Sequence, residues 1–197
     1  QLHEHNSDER MYNWVYWGHV DGLSHHYHPD DERVLAEFKS FSYAFEEFFL
    51  KPSRASTLKD TLLILTADHG QIYTPDNPSF SYHYHPQLDQ MLTIKPTGEH
   101  RMSFLYVRPG QIEAVKDYFA ATWPGKFSLI SRGVAIESGL FGPGEMHPNL
   151  LERLGDLIVI PHEDAYLWWG KKDNFLRGRH GGLTSQEMLV PFLTVRL

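Results

Sequence analysis

The run Thr61-Leu-Leu-Ile-Leu-Thr-Ala67 breaks off at Asp68-His69-Gly70, and no other stretch constrains the fold as tightly. A continuous apolar segment bounded by polar residues is the pattern of a strand buried on both faces, which belongs to α/β proteins with helices laid over a sheet. Ligands of open α/β sheets collect in the crevice beyond the carboxyl ends of the strands. A carboxylate and an imidazole thus stand where a ligand is expected. The glycine beside them lets the backbone come close to an ion or a phosphate.

The rest of the chain repeats this arrangement. Met11 to Val20 is aromatic and β-branched, which predicts a strand. It stops at Asp21-Gly22, with His25 four residues beyond Asp21. Pro29-Asp30-Asp31 opens a helix, because proline suits a first turn and carboxylates suit the positive end of the dipole. Val34, Phe38, Phe41, Phe45 and Phe48 follow at spacings of four and three, so they share a face expected to pack on a sheet. Residues 71–90 lack helical period and read as a long loop. Residues 91–155 read as a smaller α+β unit, with strands near 91–95 and 102–108 and a helix from Gln111 to Ala121. Asp156-Leu-Ile-Val-Ile-Pro161 returns to the buried-strand pattern, and Tyr166 to Trp169 reads as another strand. Arg177 to Gly182 is a glycine-rich loop carrying His180, and Leu189 to Leu197 a last strand. Residues 1–11, with His3 and His5, read as a linker. The fold class is α/β with an inserted unit: residues 1–80 and 156–197 form the core and 81–155 the insertion.

Composition narrows the chemistry. There are 13 histidines among 197 residues, many of them beside acidic residues and glycines, and neutral imidazole is the commonest metal ligand. With no cysteine, thiolate metal sites and disulfides are excluded, so a metal would be held by carboxylate and imidazole, a set suited to zinc or another borderline divalent ion. The absence of cysteine fits a reducing compartment, and a cytoplasmic location is expected. A formal net charge of −7 without a basic block argues against a nucleic-acid polymer as partner. The apolar runs are too short for a membrane span. Gln1 in first position suggests a chain that starts inside a longer product.

Three segments therefore carry the chemistry: Asp21 to His25, Asp68-His69-Gly70 and His180-Gly181-Gly182. Tyr16-Trp-Gly-His-Val-Asp21-Gly-Leu-Ser-His25, followed by Tyr27 and Pro29, resembles a metal motif of the type I phosphodiesterase/nucleotide pyrophosphatase family. Leu65-Thr-Ala-Asp68-His69-Gly70 is similar to its Asp-His-Gly motif, shared across the alkaline phosphatase superfamily. Gly178-Arg-His180-Gly181-Gly182, with Pro191 downstream, is similar to its last histidine motif. The order and strand context match, and Phe141-Gly-Pro-Gly144 within 91–155 resembles the insertion of bacterial members. His28 stands where glycine is common in that family.

The resemblance implies a partial alkaline-phosphatase-like three-layer sandwich and a zinc-dependent hydrolase of phosphate esters, with two Zn2+ as cofactors. Asp21, His25 and His180 would hold one zinc, and Asp68 and His69 the second. The threonine or serine nucleophile and a further aspartate would lie in an amino-terminal segment of the same protein, leaving this chain inactive alone. Thr66 and Thr184, the hydroxyls nearest the motifs, are expected to serve strand packing and loop hydrogen bonding. His83 and His85 are candidate substrate contacts from a lid, as is Arg179 through a bidentate phosphate contact. Trp168 and Trp169 are expected to cap the core. Two other readings share the ligands: a phosphomutase or sulfatase of the same superfamily, and a non-catalytic metal-binding or interaction domain.

Overall fold

The computed structural model describes residues 10–53, 58–171 and 173–197. The expected linker with His3 and His5 falls almost wholly outside them. The best-packed part is a four-stranded antiparallel sheet of order β3-β4-β6-β5, built from β3 (Thr97–Glu99), β4 (Met102–Leu105), β5 (Phe127–Ser131) and β6 (Leu157–Pro161). Alternating side chains of β6 enter two clusters. Leu157 and Val159 join Val115, Phe119 and Trp123 on one face, and Ile158 joins Ala135 and Leu154 on the other. Helices thus cover both faces, the condition under which a strand can be apolar at every position. The helix Ile112–Thr122 matches its sequence expectation closely. Residues 91–95 contribute only an isolated bridge from Leu92 to Val107. Strand β6, expected in the returning core, pairs with β4 and β5.

A second, smaller sheet pairs β1 (Leu62–Thr66) with β8 (Phe192–Arg196), antiparallel. The expectation that β1 is buried on both faces does not hold, because its residues alternate between exposed and half-buried and β8 is exposed throughout. Among the described residues nothing covers the outer face of the pair. A third pairing joins β2 (Ile72–Tyr73) to β7 (Gly178–Arg179), inside the stretch read as a glycine-rich loop.

Two further expectations are corrected. Residues 10–18 form no strand; Trp14 and Tyr16 are exposed, and without a neighbouring strand to satisfy its backbone an aromatic, β-branched stretch cannot become one. Among the described residues the first helix is α1 (His19–Tyr27). Helix α2 (Glu32–Phe45) is capped by the Asp31 carboxylate, which accepts from the Arg33 N–H. It then widens into a π-helical turn over Glu46–Leu50. The widening shifts the register, so Phe41, Phe45 and Phe49 form a ladder with centroids 6.1 and 5.1 Å apart, while Phe48 is left exposed. The stretch Tyr166–Trp169 makes a single parallel bridge, Ser81 to Trp168, rather than a strand. Among the described residues no helix is long and apolar enough to cross a membrane.

The aromatic group beneath β5 carries the first prediction. Phe119 is 2% exposed and meets Trp123 and Phe127 edge-on at 4.9 and 5.4 Å. Phe119→Ala is expected to lower unfolding free energy by about 3–5 kcal/mol, the range for truncating a buried aromatic. Denaturant titration checks this, and a loss under ~1 kcal/mol would show that the core refills.

Candidate metal centre

Helix α1 lies directly against β7. A Cβ added at Gly178 would fall 2.3 Å from the Ser24 carbonyl oxygen, so only glycine permits the approach. The His25 carbonyl accepts from the Arg177 N–H at 2.7 Å. His28 ends the helix at φ 91°, its N–H bonded to the Ser24 carbonyl. That conformation favours glycine, so His28 holds a backbone geometry that side chains rarely adopt.

Asp21 sits in the first turn of α1, where the helix dipole favours a negative charge, and His25 follows one turn later on the same face. Asp68 and His69 follow β1, and His180 follows β7. These segments converge. One ligand atom from each of Asp21, His69 and His180 lies within 4.8 Å of the others. The rings of His69 and His180 stack at 3.6 Å and 15°, and the His25 ring stands 5.1 Å from that of His180.

Hydrogen bonds decide which ring nitrogen faces the cluster. A carbonyl only accepts, so His25 Nδ1 donates to the Gly178 carbonyl at 2.8 Å and His69 Nδ1 donates to the Gly70 carbonyl at 2.9 Å. In the neutral ring each Nε2 then carries a lone pair. His25 Nε2 faces Asp21 Oδ1 at 3.4 Å, and His69 Nε2 faces Asp68 Oδ2 at 3.7 Å. Two acceptors turned toward each other attract only through a shared cation, a proton or a metal ion. Backbone carbonyls holding the outer nitrogen of ligating histidines are the usual support of a metal site. His180 is half-buried, and burial first, then the positive character of His69 and His25, holds its ring below the ordinary histidine value. That favours the neutral, ligating form. This donor set of imidazole and carboxylate fits a zinc-like divalent ion.

Asp21, His25, Asp68, His69 and His180 are therefore neighbours. The atoms within reach of one ion come from Asp21, His69 and His180, with His25 beside Asp21 and Asp68 the most exposed. The other candidates fare differently. His83 is exposed, with Nε2 bonded to the Gly170 carbonyl at 2.8 Å. His85 is buried, both ring nitrogens engaged by Tyr118 and Ser79, as suits a core histidine. Arg179 is 1% exposed, its guanidinium bonded to Thr74, Leu176 and Asn174 and lying 3.7 Å over the Tyr166 ring. These contacts tie its terminal nitrogens to the interior, while the buried Nε has no hydrogen-bond partner among the described residues. Thr184 donates to Glu187 at 2.7 Å, and Thr66 is exposed at the end of β1, its hydroxyl 3.4 Å from the Ala67 carbonyl oxygen.

Two neighbours escaped the sequence reading. Gln71 Nε2 donates to Asp21 Oδ1 at 2.7 Å and fixes that carboxylate; its position next to Gly70 was the available signal. His100, in the β3–β4 turn, packs 4.5 Å from both Trp168 and Trp169. Burial, then the positive fields of Arg179, His25 and His180, pushes it down to about 4. Nothing in the sequence around His100 pointed there.

Comparison with known proteins identifies the family and the fold. The pattern of the family described as Type I phosphodiesterase / nucleotide pyrophosphatase matches residues 4–183. No curated protein matches the sequence. Murine ectonucleotide pyrophosphatase/phosphodiesterase 5 superposes with a TM-score of 0.68 at 19% identity, over 91% of this chain and 46% of that one. The human ectonucleotide pyrophosphatase/phosphodiesterase 5 gives 0.63 at 20% identity, with coverage of 91% and 46%. Phosphonoacetate hydrolase from Sinorhizobium meliloti 1021, in complex with phosphonoformate, gives 0.57 at 20% identity, with coverage of 88% and 43%. At such identities the likeness shows the fold, which is α/β and alkaline-phosphatase-like in part. The chain spans less than half the length of these proteins.

The close approach of the metal loops yields a prediction. A Cβ at Gly70 would lie 1.9 Å from the Gln186 carbonyl oxygen, so Gly70→Ala must displace the loop carrying Asp68 and His69. Overpacking of this kind costs about 1–3 kcal/mol, and zinc affinity should fall with it. Paired denaturation and calorimetric zinc titrations check both, and an unchanged affinity would separate this loop from the site.

Proposed function

From the premise that the chain belongs to the type I phosphodiesterase/nucleotide pyrophosphatase family, we propose that it is the part of a zinc-dependent phosphate-ester hydrolase that carries most of the metal ligands. The observation that supports this best is the meeting of Asp21, His69 and His180 within 4.8 Å, from three segments far apart in sequence. A divalent cation bound there supplies Lewis-acid charge that offsets the charge developing on a phosphoryl group. His25 and His69 present their Nε2 lone pairs inward, each ring fixed by a backbone carbonyl. Gln71 holds Asp21 in the orientation that keeps its carboxylate toward them. We assign Asp21, His25, Asp68, His69 and His180 together to a two-zinc centre.

The attacking hydroxyl is supplied, in this proposal, by another segment of the same protein. Two observations support it. Thr184 is bonded to Glu187, and among the described residues a broad apolar surface is exposed. Phe38, Phe41 and Phe45 of α2 line a groove with Leu65 of β1 and Leu193 of β8, and Leu62, Ile64 and Phe192 are exposed on the opposite face of the pair. Exposed apolar groups of this kind mark an interaction surface. The preferred substrate class is a phosphodiester or nucleotide, in keeping with the family and with the murine relative solved in complex with AMP as an inactive variant.

The experiment compares the chain alone with a chain extended upstream, using a nitrophenyl phosphodiester and added zinc. The chain alone is expected to turn over little or nothing, and the extended form to be active. A chelator should abolish that activity. His180→Ala should lower kcat/KM by at least about a hundredfold, the scale of removing one group that stabilises transition-state charge. Hydrolysis that survives both treatments would end the proposal; sulfate esters assayed in parallel separate a sulfatase.

A further inference from the structure

The inserted unit and the metal loops are joined by one ion pair that no solvent reaches. Arg101, in the β3–β4 turn, and Glu187, after the His180 loop, both have side chains 0% exposed. Arg101 Nε donates to Glu187 Oε1 at 3.0 Å and Nη2 donates to Oε2 at 2.9 Å, a bidentate fork. The remaining terminal nitrogen of Arg101 donates to the Ala165 carbonyl. Burial alone would raise the Glu187 carboxyl, but hydrogen bonds from Arg101 and Thr184 outweigh it and hold the group below the ordinary glutamate value. The carboxylate is therefore ionised at neutral pH.

Glu187 reaches both metal loops at once. Its carboxylate accepts the Gly182 N–H at 2.9 Å and the Thr184 hydroxyl at 2.7 Å, which clasps the loop beginning at His180. Its backbone carbonyl accepts the Gly70 N–H at 2.8 Å, which clasps the loop carrying His69. Both approaches need glycine: a Cβ at Gly182 would fall 2.7 Å from the Glu187 carboxylate. The hairpin adds a second contact, since a Cβ at Gly181 would lie 2.7 Å from Cβ of Glu99. Stability by itself is a weak reason for such a pair, because buried ion pairs are often no more stabilising than apolar residues of similar volume. Geometry is the stronger reason, because the fork has one allowed arrangement and its far side holds the two histidine loops.

We propose that Arg101 and Glu187 are positioning residues for the metal centre: through Gly182, Thr184 and Gly70 they set the spacing of His69 and His180. The inserted unit is then a structural member of the site, joined to it by Arg101. This rests on reading Asp21, His69 and His180 as metal ligands.

The test compares Arg101→Met/Glu187→Met, which fills the volume without charge, with Glu187→Gln, which keeps shape and one oxygen acceptor. Unfolding free energy, amide hydrogen exchange at Gly70 and Gly182 in the metal-free chain, and zinc dissociation constants are measured for each. The double variant is expected to fold, to lose at least about tenfold of the Gly182 protection, and to bind zinc about 10–100-fold more weakly, the scale seen when groups that orient ligands are removed. Glu187→Gln should fall between it and the parent, and it carries the same readouts should the double variant not fold. A folded variant with parental zinc affinity and parental Gly182 protection overturns the positioning role while leaving the metal site intact. A parent chain that binds no zinc overturns the metal reading, and the positioning role with it.

Discussion

Lone pairs repel unless something positive lies between them, and this constraint organises the whole structure. His25 and His69 each give their Nδ1 proton to a backbone carbonyl and turn the other nitrogen toward a carboxylate oxygen. His69 and His180 stack face to face at 3.6 Å. Gathering imidazoles and carboxylates in this way is unfavourable without a cation and strongly favourable with one. The rest of the fold can be read as the scaffold that keeps these groups from moving apart.

That scaffold is built from close backbone approaches rather than from a large shared core. Gly178 lets α1 lie on β7, and Gly70 lets the Asp68–His69 loop meet Gln186 and Glu187. The inserted sheet has the dense packing, with β6 covered on both faces by helices. The β1–β8 pair has almost none of it in this chain. The ligands therefore stand between a rigid unit and a sheet whose outer face is open. The buried Arg101–Glu187 pair ties the rigid unit to the ligand loops.

Much of this was legible in the sequence, for identifiable reasons. The three segments that meet at the candidate site stand out because carboxylate, imidazole and glycine beside apolar runs form a pattern that short range alone reveals. The α/β class followed from apolar runs, and the helix Ile112–Thr122 from its period. What failed were judgements about partners distant in sequence. The runs at 61–67 and 157–161 have the same pattern, yet β6 is covered and β1 is not, because burial depends on what lies across from a strand. Residues 10–18 have strand composition but no strand beside them. His85 and Arg179 carry the right chemistry for a site and were drawn into the interior by Tyr118, Asn174 and Tyr166. His100 was invisible because its neighbours, Trp168 and Trp169, lie far along the chain.

The central claim is that distant imidazoles and carboxylates converge to hold divalent cations. Anomalous X-ray diffraction at the zinc edge, from crystals grown with zinc, addresses it most directly. The account requires a peak within bonding distance of Asp21, His69 and His180, with His25 or Asp68 completing its surroundings. Zinc found only at exposed surface histidines, with those three side chains free of metal, would contradict it.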